Sequence, residues 1–174
     1  MRLYPISTKN LGYNIGMKKD LEKIVDILKS KNETITMAES CTGGRVAAAF
    51  TSIAGVSSVF NGSLVTYANE IKEEWLGVPK EILLEHGAVS TECVDQMLSG
   101  AIKMSHADHS IAISGIAGPD GGTPDKPVGT VYIGVLVNGI KTIQRYHFEG
   151  AREEIQDSAT KKSIEIFLKK IKKN

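Results

Sequence analysis

The sequence predicts an α/β domain whose sheet is mainly parallel and carries an antiparallel portion. Short β-rich apolar runs at residues 34–38, 59–68 and 109–115 alternate with segments of helical period, the pattern of strands joined by crossover helices. Two longer β-rich runs, 128–138 and 140–148, flank Asn138-Gly139, the dipeptide of tight hairpin turns. No internal repeat competes with this reading.

Leu21, Ile24, Val25 and Leu28 recur at helical spacing, so residues 17–31 form an amphipathic helix with a charged outer face. "TITMA" at 34–38 is a short strand that runs into "ESCTGG". "GGRVAAAFTSI" then begins a second helix, its glycines permitting a sharp entry. "VFNGSLVTYA" is a strand, "NEIKEEWLG" a short helix, and "STECVDQMLSGAIKMSH" a longer helix with Ser90 as its N-cap. "HSIAISG" is a buried strand that breaks into a loop dense in glycine and proline. The last helix begins near Ala151, with Glu153 and Glu154 favourable in its first turn and Ile164, Phe167, Leu168 and Ile171 on its apolar face.

The chain has 174 residues, 41% of them apolar and 24% charged, which suits one globular domain with a real core. A formal charge of +1 gives no global attraction to nucleic acid or to an anionic membrane. Lys161, Lys162, Lys169, Lys170, Lys172 and Lys173 read as the solvated end of the last helix. Cys41 and Cys93 are too few for a disulfide framework or a structural zinc site, which fits a cytoplasmic location. Residues 1–16 lack the apolar stretch of a signal peptide and read as a loosely ordered arm, and no run elsewhere is long enough to span a bilayer.

Three segments carry candidate chemistry. "ESCTGG" lacks the spacing and lysine of a P-loop and the flanking glycines of a hydrolase elbow, yet small residues before a helix expose N–H groups that favour an anion. A tight structural turn explains it equally well, and Cys41 at a helix start is a further candidate nucleophile. In "AGVSSVFNGSLVTYANEIK", Ser57 lies in a loop, Tyr67 ends a strand and Lys72 sits in the next helix. A lysine kept neutral by burial serves a serine as general base, although a surface lysine and an ordinary loop serine fit the same letters. The loop "SGIAGPDGGTPDKPVGT" is long and irregular for a compact domain, the mark of a binding loop. His106 and His109 have no third or fourth ligand beside them, so no metal is expected. Open α/β sheets gather ligands at the carboxyl ends of parallel strands, which is where Ser40, Tyr67 and Ser114 fall.

Taken together, "AESCTGG", "GVSSVFNGSLVTYANEIK", "LGV", "HGAVS", "SGIAGPDGGTPDKPVGTV" and "FEGAR" resemble the CinA C-terminal domain family, over residues 33–152. The stand-alone members of that family are nicotinamide mononucleotide amidohydrolases. The resemblance implies a three-layer α/β/α sandwich with a mixed sheet, formed by residues 17–174 as a single domain. It implies hydrolysis of the nicotinamide carboxamide to nicotinate mononucleotide and ammonia, in NAD recycling, without a cofactor, and with a homodimer as the expected assembly. Carried over by motif, Ser57 is the expected nucleophile and Lys72 its base, with Tyr67 tuning the pair and Ser40 close by. Thr42, Gly43 and Gly44, or the loop from Ser114 and Gly115 through Gly118, are expected to take the substrate, with Arg152 on its phosphate or ribose. One departure stands out: Val59 precedes Phe60 where the family usually has an aromatic. The rival readings are a pyridine-nucleotide-binding module without catalysis and a Cys41 thiol amidase.

Overall fold

The computed structural model describes residues 15–173. The elements follow in the order α1 (Ile15–Lys31), β1 (Ile35–Glu39), α2 (Arg45–Thr51), β2 (Phe60–Val65), α3 (Asn69–Leu76), α4 (Lys80–Glu85), α5 (Thr91–Ser105), β3 (His109–Gly115), β4 (Thr130–Val137), β5 (Ile140–His147) and α6 (Arg152–Ile171). The arm expected over residues 1–16 lies outside the described residues apart from its last two, which open α1. Helix α4 has no counterpart among the sequence-predicted elements. It is six residues long with one buried side chain, Leu83, too short for a periodic signal.

The five strands form one mixed sheet in the order β2-β1-β3-β4-β5. β2, β1 and β3 are parallel, while β4 and β5 are added antiparallel as a hairpin. The hairpin turns at Asn138 and Gly139, both at positive φ (50° and 76°), the geometry the dipeptide selects. Interior strand β1 is buried at every residue, as a strand covered on both faces must be.

One apolar layer joins Leu21, Ile24 and Leu28 of α1, Val46 and Phe50 of α2 and Phe167 of α6 to Met37, Ile113, Ile133 and Val135 of the sheet. The other joins Leu76, Leu83, Val94, Met97 and Leu98 to Ala38 and Ala112 on the opposite face. The molecule is therefore a three-layer α/β/α sandwich, with α1, α2 and α6 on one side and α3, α4 and α5 on the other. Gly100 sets the spacing of the second layer, because a Cβ there would meet the Leu76 carbonyl oxygen at 2.0 Å. Only a glycine lets α5 run this close to the end of α3, the helix that carries Lys72.

Candidate active site

At the carboxyl rim of the parallel strands, the chain leaves β1 through Glu39 and turns at once into α2. Glu39 is fully buried. Its Oε2 accepts from Thr42 Oγ1 (2.8 Å), Gly44 N (3.1 Å) and Val46 N (3.1 Å), and its Oε1 from Ala47 N (2.9 Å), with Ser63 Oγ at 3.4 Å. A buried carboxylate persists only when it is hydrogen-bonded this fully, and the start of a helix supplies the unpaired amides to do it. Gly43 and Gly44, at φ 60° and 94°, give the chain the reversal that folds α2 back over Glu39.

This arrangement corrects one sequence-based expectation. The amides of Gly43 and Gly44 do not face a substrate: Gly43 N donates to Ser40 O at 3.1 Å and Gly44 N to Glu39. The protein's own carboxylate occupies the anion position at the start of α2, and the Thr42 hydroxyl is spent on it too.

Lys72 lies on the first turn of α3 yet is 1% exposed. Its Nζ is 2.8 Å from Thr66 O, 3.1 Å from Tyr67 O and 3.1 Å from Ser40 Oγ. Burial drives its pKa below the usual lysine value, opposed by Cys93, Cys41 and Glu70. The opposition from the cysteines is slight in fact, because burial pushes the Cys41 thiol up to about 12 and Cys93 to about 11, so both are uncharged at neutral pH. The two carbonyls can only accept, so Nζ donates to both, and the Ser40 hydroxyl is the third polar group within its reach. The site thus places a serine hydroxyl within hydrogen-bond reach of a buried lysine amine.

That serine is not the one expected. Ser57 lies in a short 3-10 turn, Val56–Ser58, exposed and just before β2. β1 and β2 are parallel, with Ile35 opposite Phe60 and Glu39 opposite Val65. Ser57 is therefore at the amino end of β2 and Lys72 beyond its carboxyl end, separated by the strand's length, roughly 20 Å for six residues. Within one chain Ser57 and Lys72 therefore do not meet.

The other candidates gather near Ser40. Ser40 N donates to Ile113 O (2.9 Å) and Thr66 N to Glu39 O (2.9 Å), which sets Thr66, Ser40 and Ser114 side by side across β2, β1 and β3. Ser114 Oγ donates to Ala88 O at 2.6 Å, holding the turn before α5 against the rim. Gly115 is closely fitted, since a Cβ would lie 2.8 Å from Thr130 O. Arg152, at the start of α6, donates through Nη2 to Tyr67 Oη (2.7 Å) and through Nη1 to Gly118 O (2.6 Å), tying α6 to the α3 approach and to the glycine-rich loop. Sequence reasoning missed Glu39, Thr66 and Gln156. Thr66 is fully buried with its hydroxyl unpartnered among the described residues, and Gln156 Nε2 donates to Cys41 O at 2.7 Å.

The family model described as the CinA C-terminal domain matches residues 18–171. The chain belongs to the CinA C-terminal domain family. A CinA-like protein of Thermotoga maritima is 42% identical over 160 residues, covering 92% of this chain and 39% of that protein. One from Fervidobacterium nodosum is 47% identical over 149 residues, covering 85% of this chain and 36% of its own length. The chain thus spans about two fifths of the length of the curated relatives it matches. Among solved structures, the competence/damage-inducible protein of Agrobacterium tumefaciens superposes with a TM-score of 0.86 at 34% identity, covering 97% of this chain and 98% of that one. A CinA superfamily protein of Klebsiella pneumoniae also gives 0.86 at 34% identity, covering 91% and 99%. No helix of the described residues is long and apolar enough to cross a membrane.

Proposed function

We propose that this CinA domain hydrolyses the carboxamide of nicotinamide mononucleotide to nicotinate mononucleotide and ammonia, with Ser40 as nucleophile and Lys72 as its base. The observation that carries the reading is the buried Lys72 amine, 3.1 Å from Ser40 Oγ and otherwise in contact with two carbonyl oxygens; in its neutral form it gives its two N–H groups to those carbonyls and its lone pair to the serine. A desolvated lysine beside a serine, with no carboxylate in ion-pair contact with its amine among the described residues, is the arrangement of a Ser-Lys nucleophile.

In the first half-reaction, Ser40 gives its proton to Lys72 Nζ as Oγ bonds to the amide carbon. The oxyanion of the tetrahedral adduct lies against the backbone N–H groups that follow Ser40, of which Thr42 N–H is given to no acceptor among the described residues. An amide nitrogen leaves as ammonia only once protonated, and the Lys72 ammonium is the group placed to supply that proton. The C–N bond then breaks and leaves an acyl ester on Ser40. In the second half-reaction a water gives its proton to the same amine, attacks the ester, and frees the carboxylate and the serine.

With the α2 N-terminus already filled by Glu39, Arg152 is the cation assigned to the substrate's phosphate or ribose, held ready by Tyr67 and Gly118. Ser114 and Gly115 form the floor beside Ser40. The Cys41 thiol is a poor alternative nucleophile, because it is buried and its pKa stands at about 12. The test is ammonia release from nicotinamide mononucleotide by the purified protein. Ser40→Ala should lower turnover by about 10³-fold or more, while Ser57→Ala stays within about twofold of wild type. No release by the wild type favours a binding module instead, and loss of activity in Ser57→Ala alone would overturn the assignment of Ser40.

A further inference from the structure

We infer that Gln156, on the second turn of α6, is a positioning residue for this hydrolysis: it holds the Cys41 carbonyl so that the Thr42 N–H faces the oxyanion. The inference rests on the amidohydrolase reading above.

Ser40 to Gly43 form a tight turn closed by Gly43 N–H to Ser40 O at 3.1 Å. In a four-residue turn the end residues are fixed, but the central peptide, here Cys41-Thr42, has two settings related by a flip, the difference between type I and type II. In a trans peptide C=O and N–H point in opposite directions, so fixing one fixes the other. Gln156 Nε2 donates to Cys41 O at 2.7 Å in a setting where both residues are 5% exposed. A carbonyl only accepts, so the amide nitrogen of Gln156 must be the atom that faces it. α6 lies on the face of the sheet opposite α3. Drawing Cys41 O toward α6 therefore sends Thr42 N–H toward the α3 side, where Ser40 Oγ meets Lys72.

Two further observations support a built device. The flipped setting needs positive φ at the third turn residue. Thr42 is β-branched and is not among the non-glycine residues at positive φ, which among the described residues are Asn32, His106 and Asn138. The neighbouring backbone groups are also committed: Ser40 N to Ile113 O, Gly44 N to Glu39, Arg45 N and Arg45 Nη1 to Thr42 O. The turn is clamped from α6, from β3 and from Glu39, and the clamp leaves the Thr42 N–H to the site.

The experiment compares wild type, Gln156→Glu and Gln156→Met in steady-state ammonia release from nicotinamide mononucleotide across pH, with melting temperatures alongside. A carboxylate cannot donate and repels Cys41 O, so Gln156→Glu should lower kcat by about 10²-fold and Gln156→Met by about tenfold, with KM within about threefold. The carboxyl of Gln156→Glu regains a donor when protonated. Its kcat relative to wild type should therefore rise as pH falls, while that of Gln156→Met stays level. A purely structural glutamine would not give that pH dependence. Wild-type turnover with both variants within about twofold of it overturns the inference and leaves the hydrolase reading standing. A flat pH ratio for Gln156→Glu in folded protein overturns it as well. If Gln156→Glu melts below the assay temperature, the kcat and KM of Gln156→Met decide. A wild type that releases no ammonia brings down the hydrolase reading, and this inference with it.

Discussion

Replacing Glu39 with Gln exchanges one carboxylate oxygen for an NH2 group at the most heavily bonded atom pair in the site. Gln keeps an oxygen for the three donors on Oε2, Thr42 Oγ1, Gly44 N and Val46 N, but presents its NH2 to Ala47 N–H, donor against donor. Hydrogen bonds to a charged group contribute about 1.5–3 kcal/mol and neutral ones about 0.5–1.5, so three bonds weaken by about 1 kcal/mol each and a fourth is lost with its desolvation cost. Against this, the variant no longer buries a charge, which returns several kcal/mol. The net loss is about 2–4 kcal/mol, below the 5–15 kcal/mol total of a typical domain, so the variant should still fold. At roughly 2–4 °C per kcal/mol for a chain of this size, the melting temperature should fall by about 8 °C. Thermal melts followed by circular dichroism give the answer, with Ser63→Ala as control, expected within about 0.5 kcal/mol because its contact with Glu39 is 3.4 Å. A Glu39→Gln protein that melts within about 2 °C of wild type and turns over normally would refute the claim that this carboxylate caps α2 and holds the Ser40 turn.

Other perturbations follow from the same geometry. Folded Lys72 loses its proton at a lower pH than the unfolded side chain, whose reference pKa is 10.5, so between the two values the unfolded chain binds the extra proton and stability climbs with pH. Lys72→Met should abolish turnover and remove that climb, seen as urea midpoints that gain less than wild type between neutral pH and about pH 10. In the wild type, kcat/KM should rise with pH on a limb that lies below the ordinary lysine range, as the free-enzyme base deprotonates, and a limb at the ordinary value would count against Lys72. Gly100→Ala should cost about 3 kcal/mol, because its Cβ cannot occupy a point 2.0 Å from Leu76 O without parting α3 from α5. Parting those helices also shifts Lys72, so denaturant melts and ammonia assays should fall together.

The layers of this fold were legible because their signals are local. β-rich runs, helical periods and Asn138-Gly139 each state their element within a few residues, and Ser90 caps α5 as its letter suggests, accepting from Cys93 N at 3.1 Å. The lysine was legible as a candidate base, but its depth was not, since the burial of Lys72 draws on α5, packed against α3, and on the end of β1 at Ser40, neither of which lies in a window around residue 72. Glu39 and Gln156 were invisible for a related reason. Most of their partners are backbone groups, which every residue has, so little in the letters marks the positions at which those groups are left unpaired.

The pairing of Ser57 with Lys72 was carried over by motif, and closeness of two motif residues along the chain does not fix their distance in space. Ser57 stands closer to Lys72 in sequence than Ser40 does, but it precedes β2 while Lys72 follows it. A parallel strand carries the chain from one edge of the sheet to the other, so residues on either side of the same strand are held apart by its full length. Residues that follow neighbouring parallel strands are brought together however many positions separate them. Ser40 follows β1, Lys72 follows β2 and Ser114 closes β3, and these three strands are adjacent in the sheet. The rim rule, applied to position before or after a strand, therefore picks Ser40 from the letters alone, and spacing along the chain counts only within one edge of the sheet.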